Sequence, residues 1–61
     1  MLPNDPNLLL CIINTKLRDR YSNLEDLCED LDVEIDDINR KLNAINYYYD
    51  SNLNQFKYKN D

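Results

Sequence analysis

A chain of 61 residues with a formal net charge of −5 is a single small acidic domain, close to the lower size limit for folding without a disulfide, a metal or a partner. It contains no histidine, glycine or tryptophan, which removes the commonest catalytic base and metal ligand and any glycine-rich phosphate loop. Its negative charge opposes a general affinity for nucleic acid or anionic membrane.

In chain order, residues 1–4 form a short lead. Asp5 is placed to N-cap a helix whose first position is Pro6, where the missing proline N–H would be an orphan in any case. Helix 1 is expected over 6–20. Leu10, Ile13, Leu17 and Tyr21 mark its main buried stripe, and Leu9 widens it. The apolar run from Leu8 to Ile13 is too short to span a membrane. No Lys or Arg precedes it, which makes a poor signal peptide. Leu10 also stands where a lipoprotein cleavage box needs a small residue. The expected location is cytoplasmic.

Ser22-Asn23-Leu24-Glu25 has the form of a capping box, with the serine oxygen accepting from the Glu25 N–H. Helix 2 is expected over 23–31, with Leu24, Leu27, Cys28 and Leu31 on one face. Asp32 then falls at the turn, in a left-handed conformation that a chain without glycine must assign to Asp or Asn. Helix 3 is expected over 35–45. Ile35, Ile38, Leu42 and Ile45 form its apolar stripe, Asp36 and Asp37 its first turn, and Arg40 and Lys41 lie toward its far end. Asn46 suits the left-handed C′ position.

Tyr47-Tyr48-Tyr49 and Gln55-Phe56-Lys57-Tyr58 flank the turn-like Asp50-Ser51-Asn52, so a hairpin is expected over 47–58. A lone hairpin is marginal. This one should dock through Tyr47, Tyr49 and Phe56 while Tyr48 points outward. Residues 59–61 are expected to fray. The two cysteines, Cys11 and Cys28, both fall in apolar helical patterns. They read as free buried thiols, and a disulfide from helix 1 to helix 2 is geometrically conceivable. A metal site would lack further His or Cys ligands.

These residues carry a resemblance. Asn4-Asp5-Pro6, Leu9-Leu10, Asn14, Lys16-Leu17-Arg18-Asp19, Tyr21-Ser22, Leu24, Leu27-Cys28, Leu42, Ile45, Tyr47, Tyr49-Asp50 and Asn54-Gln55-Phe56 resemble the small bacterial proteins grouped as domain of unknown function 4250, from residue 3 to residue 56. That resemblance implies a family without implying an activity. The segment from Leu24 also resembles a helix-turn-helix frame, with Leu27, Cys28, Leu31, Val33 and Ile38 at inward positions. It departs from the frame at Asp32, where glycine is usual, and at Lys41, where an apolar residue is usual. The expected fold is therefore mainly α: a three-helix, helix-turn-helix-like bundle with a short C-terminal β-hairpin, a miniature winged helix.

From Glu25 to Asp37 the chain has eight acids and no base. A reading helix would bring Glu34, Asp36, Asp37 and Asn39 toward phosphates, with Arg40, Lys41, Lys57 and Lys59 the cations available to offset them. Lys16, Arg18 and Arg20 are expected to complement the helix 1 dipole and pair with the acidic helix 2. Asp30, Asp32, Glu34 and Asp36 alternate like a calcium loop, but Ile35 and Lys41 occupy its glycine and glutamate positions. Exposed carboxylate pairs should titrate normally.

No catalytic residue, cofactor or metal is expected, nor a small-molecule substrate, and the chain reads as a non-enzyme. The leading expectation is a protein–protein interaction or self-associating module whose partner is another protein or a second copy. Its candidate contact residues are Glu34, Asp36, Asp37, Arg40, Lys41 and Tyr48. The alternative is a DNA-binding regulator using helix 3 and the hairpin.

Overall fold

A computed structural model of the chain describes residues 2–59 and orders them as α1 (Pro6–Asp19), α2 (Leu24–Leu31), α3 (Ile35–Asn43), β1 (Tyr47–Asp50) and β2 (Gln55–Tyr58). The architecture is three helices followed by a two-stranded antiparallel hairpin, as expected. The parts of the expected lead and fraying that fall on Met1, Asn60 and Asp61 lie outside the described residues. Among the described residues no helix is long and apolar enough to cross a membrane.

α1 starts as its sequence dictates: Asp5 is extended, its carboxylate accepts from the Asn7 N–H at 3.0 Å, and Pro6 opens the helix. Its buried row is Leu9, Ile13 and Leu17, while Leu10 and Tyr21 are half-buried. Leu10 therefore yields its expected place to Leu9. The reason is that Leu10 shares a flank with Asn14, one turn on, and Asn14 faces the hairpin.

The cap of α2 also differs from expectation. Asn23, not Ser22, is the N-cap: it is extended (φ −159°, ψ 170°), and its Oδ1 accepts from the Asp26 N–H at 2.7 Å. Ser22 Oγ instead lies 3.5 Å from the Asp26 carboxylate. Both residue types can cap; starting the helix at Leu24 puts Leu24, Leu27 and Cys28 on the buried face.

α2 ends where Asp32 takes the left-handed conformation (φ 56°, ψ 48°). The Asp32 N–H donates to the Glu29 carbonyl at 3.3 Å and the Val33 N–H to the Cys28 carbonyl at 2.9 Å. This crossed pair is a Schellman motif, which satisfies carbonyls that the helix end would otherwise orphan.

α3 stops at Asn43, short of the expected residue 45, because its last turn tightens. The Ile45 N–H donates to Leu42 at 3.2 Å and the Asn46 N–H to Asn43 at 3.0 Å, in the i→i+3 pattern. Asn46 then turns the chain into β1 with φ 67°, as its type predicts.

The hairpin register pairs Tyr47 with Tyr58, Tyr48 with Lys57, Tyr49 with Phe56 and Asp50 with Gln55. Asp50 Oδ1 accepts from the Asn52 and Leu53 N–H groups at 2.9 and 3.3 Å, closing the turn. Lys59, expected to fray, instead extends the pairing: its N–H donates to the Asn46 carbonyl at 2.7 Å.

Phe56 is buried with the helix residues Leu9, Ile13, Leu17, Leu27, Ile38 and Leu42, and Tyr47 and Tyr49 pack against that core. Tyr48 points outward, 43% exposed. The Cα radius of gyration is 10.5 Å, about the 10–11 Å of a close-packed chain this long. The hairpin thus lies on the helices and does not project as an arm.

Candidate interaction surface

Apolar burial alone does not explain how four-residue strands stay on a helix bundle. Two asparagines complete the attachment. Asn14, on the hairpin side of α1, donates through Nδ2 to the Phe56 carbonyl at 3.1 Å and accepts at Oδ1 from the Phe56 N–H at 2.7 Å. One side-chain amide thereby occupies the outward backbone groups of β2, as a third strand would.

Asn54 does the converse from the hairpin. It is left-handed (φ 53°), and its Nδ2 donates to the Leu17 carbonyl at 3.0 Å and the Tyr21 carbonyl at 2.9 Å. Those carbonyls lie at and beyond the end of α1, where helical partners run out. Its Oδ1 accepts from the Tyr49 hydroxyl at 2.6 Å, and that hydroxyl accepts from the Leu24 N–H at 3.2 Å. The network ties the end of α1, the start of α2 and the hairpin into one body. In the sequence, Asn14 and Asn54 stand out only as residues shared with the family it resembles. The signal that could have exposed their role is a polar residue beside an apolar stripe in α1 and an asparagine at the last position of a hairpin loop, where a left-handed residue is common.

The outer side of α2 and α3 has a different character. Glu25, Asp26, Glu29, Asp30, Asp32, Glu34 and Asp36 are all exposed. Among the described residues, none of the seven forms an ion pair. Asp30 accepts a hydrogen bond from the Tyr21 hydroxyl at 2.5 Å, and that bond to a carboxylate pushes the Tyr21 pKa up. Glu34 is the N-cap residue of α3 but its side chain makes no capping bond.

Asp37 is the exception. It pairs with Arg40 on the next turn and lies 3.7 Å from the Lys41 ammonium. The Arg40 hydrogen bond, then the charge of Lys41, holds its carboxyl below the ordinary aspartate value. This corrects the expectation that exposed carboxylates titrate normally; the i, i+3 and i, i+4 spacings put both cations within reach. Lys41 also donates to Asn4 Oδ1 at 3.3 Å. The two α3 cations are therefore engaged on their own helix and on the lead.

The α1 cations behave likewise. Arg18 pairs with its neighbour Asp19 at 2.9 Å, which lowers the Asp19 pKa, and among the described residues no ion pair joins Lys16, Arg18 or Arg20 to α2. The expected bridging to helix 2 is thus replaced by local pairing; the Tyr21 hydroxyl, just beyond α1, donates to Asp30 of α2. Tyr48, on β1, has the Lys59 ammonium 5.6 Å from its ring centroid, within cation–π range.

Of the expected contact residues, Asp37, Arg40 and Lys41 are brought together, while Glu34, the N-cap of α3, and Asp36, in its first turn, stay outside that group. Among the described residues, Tyr48 shares no hydrogen bond or ion pair with them. Asp30, Asp32, Glu34 and Asp36 are not gathered into a set of three that could hold a metal ion, among the described residues. Cys28 is buried and its pKa is raised by desolvation. Cys11 is exposed on α1, contrary to the expectation of burial, because it falls opposite the Leu9–Ile13–Leu17 row; both thiols are free.

Fold and surface together define a small helical domain whose hairpin is fastened by side-chain amides and whose outer helical face is acidic. The family described as domain of unknown function (DUF4250) matches residues 3–56, and the chain belongs to that family. No curated protein and no solved structure matches the chain. Asn14, Tyr49, Asp50, Asn54 and Phe56, among the residues that carried the resemblance, are fastenings of the hairpin. They therefore characterise the fold.

Proposed function

We propose that the protein is a non-enzymatic, cytoplasmic interaction module that engages a polypeptide through the acidic outer side of α2 and α3. The observation that carries this reading is the charge inventory of that side. Seven carboxylates lack an ion-pair partner among the described residues, and the cations of α3, Arg40 and Lys41, are drawn to Asp37. A phosphate backbone brought against the start of α3 would meet the carboxylates of Glu34, Asp36 and Asp37. Positioning on nucleic acid depends on cations.

A second reading has one observation in its favour. α2 and α3 are joined by residues 32–34 with Asp32 left-handed, and a hairpin follows α3, an arrangement compatible with a helix-turn-helix DNA-binding regulator. Fluorescence anisotropy of a labelled random-sequence duplex at low ionic strength separates the two. The interaction reading expects no change at micromolar protein. Binding that weakens with a slope of several in log K against log salt would transfer the proposal to DNA. Sedimentation equilibrium tests the self-associating version, which a monomer at every concentration would eliminate.

A further inference from the structure

α1 has a second working flank. Asn14 and Leu17 look toward the hairpin, whereas Ile12 and Lys16, also one turn apart, lie beside the α2–α3 turn. There Ile12 joins Leu2, Leu31 and Val33 around a groove of about 690 Å³, with Lys16 on its α1 rim and Asp32 on its other rim. The four apolar residues are half-buried: Leu2, Leu31 and Val33 also pack on the core, and Ile12 lines the groove beside them. A volume of this size falls in the range of about 300–1,000 Å³ that real binding clefts occupy.

We propose that this groove receives the apolar side chains of a basic amphipathic segment of a partner protein, an inference that rests on the interaction reading above and gives it a site. Charge selects the occupant. The rim that holds Asp32 and Val33 runs directly into Glu34 and Asp36, all three carboxylates exposed and without ion pairs among the described residues. Among the described residues, the cation on the rim is Lys16. A segment with Leu- or Ile-type residues flanked by Lys or Arg covers Ile12, Leu31 and Val33 while its cations meet the acidic rim. Lys16 suits a carbonyl or carboxylate at one end of that segment. A second copy of this chain would bring another net charge of −5 to the same rim, and like charges across an interface oppose docking.

The test uses the full chain and a synthetic helical peptide of Lys and Leu at amphipathic spacing, with an otherwise identical Glu-Leu peptide as control. Amide chemical-shift changes on adding the Lys-Leu peptide should centre on Ile12, Lys16 and residues 31–36, and the Glu-Leu peptide should produce none. Ile12→Ser should weaken binding about tenfold, the effect of removing one half-buried aliphatic contact. Because the shift map is read on the unaltered protein, it decides the matter even if that variant fails to fold. Shifts confined to residues 25–30 would overturn the groove and leave the acidic-surface reading standing. No binding at low salt would overturn both. Equal binding of the Glu-Leu peptide, or occupation of the groove by a second copy in sedimentation, would refute the basic partner.

Discussion

Replacing Asn54 with glycine removes a side chain that makes three hydrogen bonds while leaving its left-handed backbone unstrained. The lost partners are the carbonyls of Leu17 and Tyr21 and the hydroxyl of Tyr49, at 3.0, 2.9 and 2.6 Å. Each bond contributes about 0.5–1.5 kcal/mol net, so the loss should be about 3 kcal/mol. A chain of this size has a total stability of roughly 3–9 kcal/mol, so the change is a large share of it. Each kcal/mol is worth about 4–8 °C in a small domain, which puts the expected fall in Tm at roughly 12–24 °C.

Asn54→Ala should lose about 1 kcal/mol more, because alanine at φ 53° pays a steric cost that glycine does not. Urea and thermal unfolding followed by circular dichroism would measure both. If Asn54→Gly stays within about 0.5 kcal/mol of the parent, the range of an inert surface change, the amide does not fasten the hairpin and the account of the fold is wrong.

Three further outcomes follow from single residues. Asp32→Gly should raise stability by about 0.5 kcal/mol and Asp32→Val should lower it by more than about 1 kcal/mol, since the β-branched side chain clashes at positive φ; equal unfolding midpoints for the two would refute the left-handed assignment. The Asp37 carboxyl, followed by NMR, should titrate below the ordinary aspartate pKa and return to it in the Arg40→Ala/Lys41→Ala variant. A pKa lower in the folded than in the unfolded state means that the pairing contributes fully above the unfolded value and is lost as pH falls through the folded one. A parent titration at the ordinary value would remove the pairing. In native protein at mildly alkaline pH, an alkylating reagent should modify Cys11 quickly and Cys28 only as the chain unfolds, because Cys28 is 5% exposed with a raised pKa; comparable rates by mass spectrometry would contradict the burial.

The helices were legible because their signals are local. Asp5-Pro6 starts α1, and Asp32 ends α2 where a chain without glycine has few alternatives. Tyr48 faces outward because strand alternation leaves it no other direction. Less legible were features set by partners far along the chain. Asn14 and Phe56 are 42 positions apart, and nothing near either of them announces the pair. The shift from Leu10 to Leu9 in the core follows from that same contact, since the hairpin sets the rotation of α1. Ser22 and Asn23 are both good caps, and burial of the α2 face chose between them. The acidic surface is legible in the run from Glu25 to Asp37, but the capture of Arg40 and Lys41 by Asp37 depends on side-chain geometry that the sequence does not state. The groove beside Ile12 needed three separated segments and had no sequence signature.

The most direct measurement is an amide chemical-shift map of the whole chain titrated in turn with poly-lysine and with random-sequence duplex DNA at low ionic strength. The polycation should move resonances from Glu25 to Asp36, and the duplex should move none. Shifts at Arg40, Lys57 and Lys59 on adding duplex, with residues 25–36 indifferent to the polycation, would contradict the account.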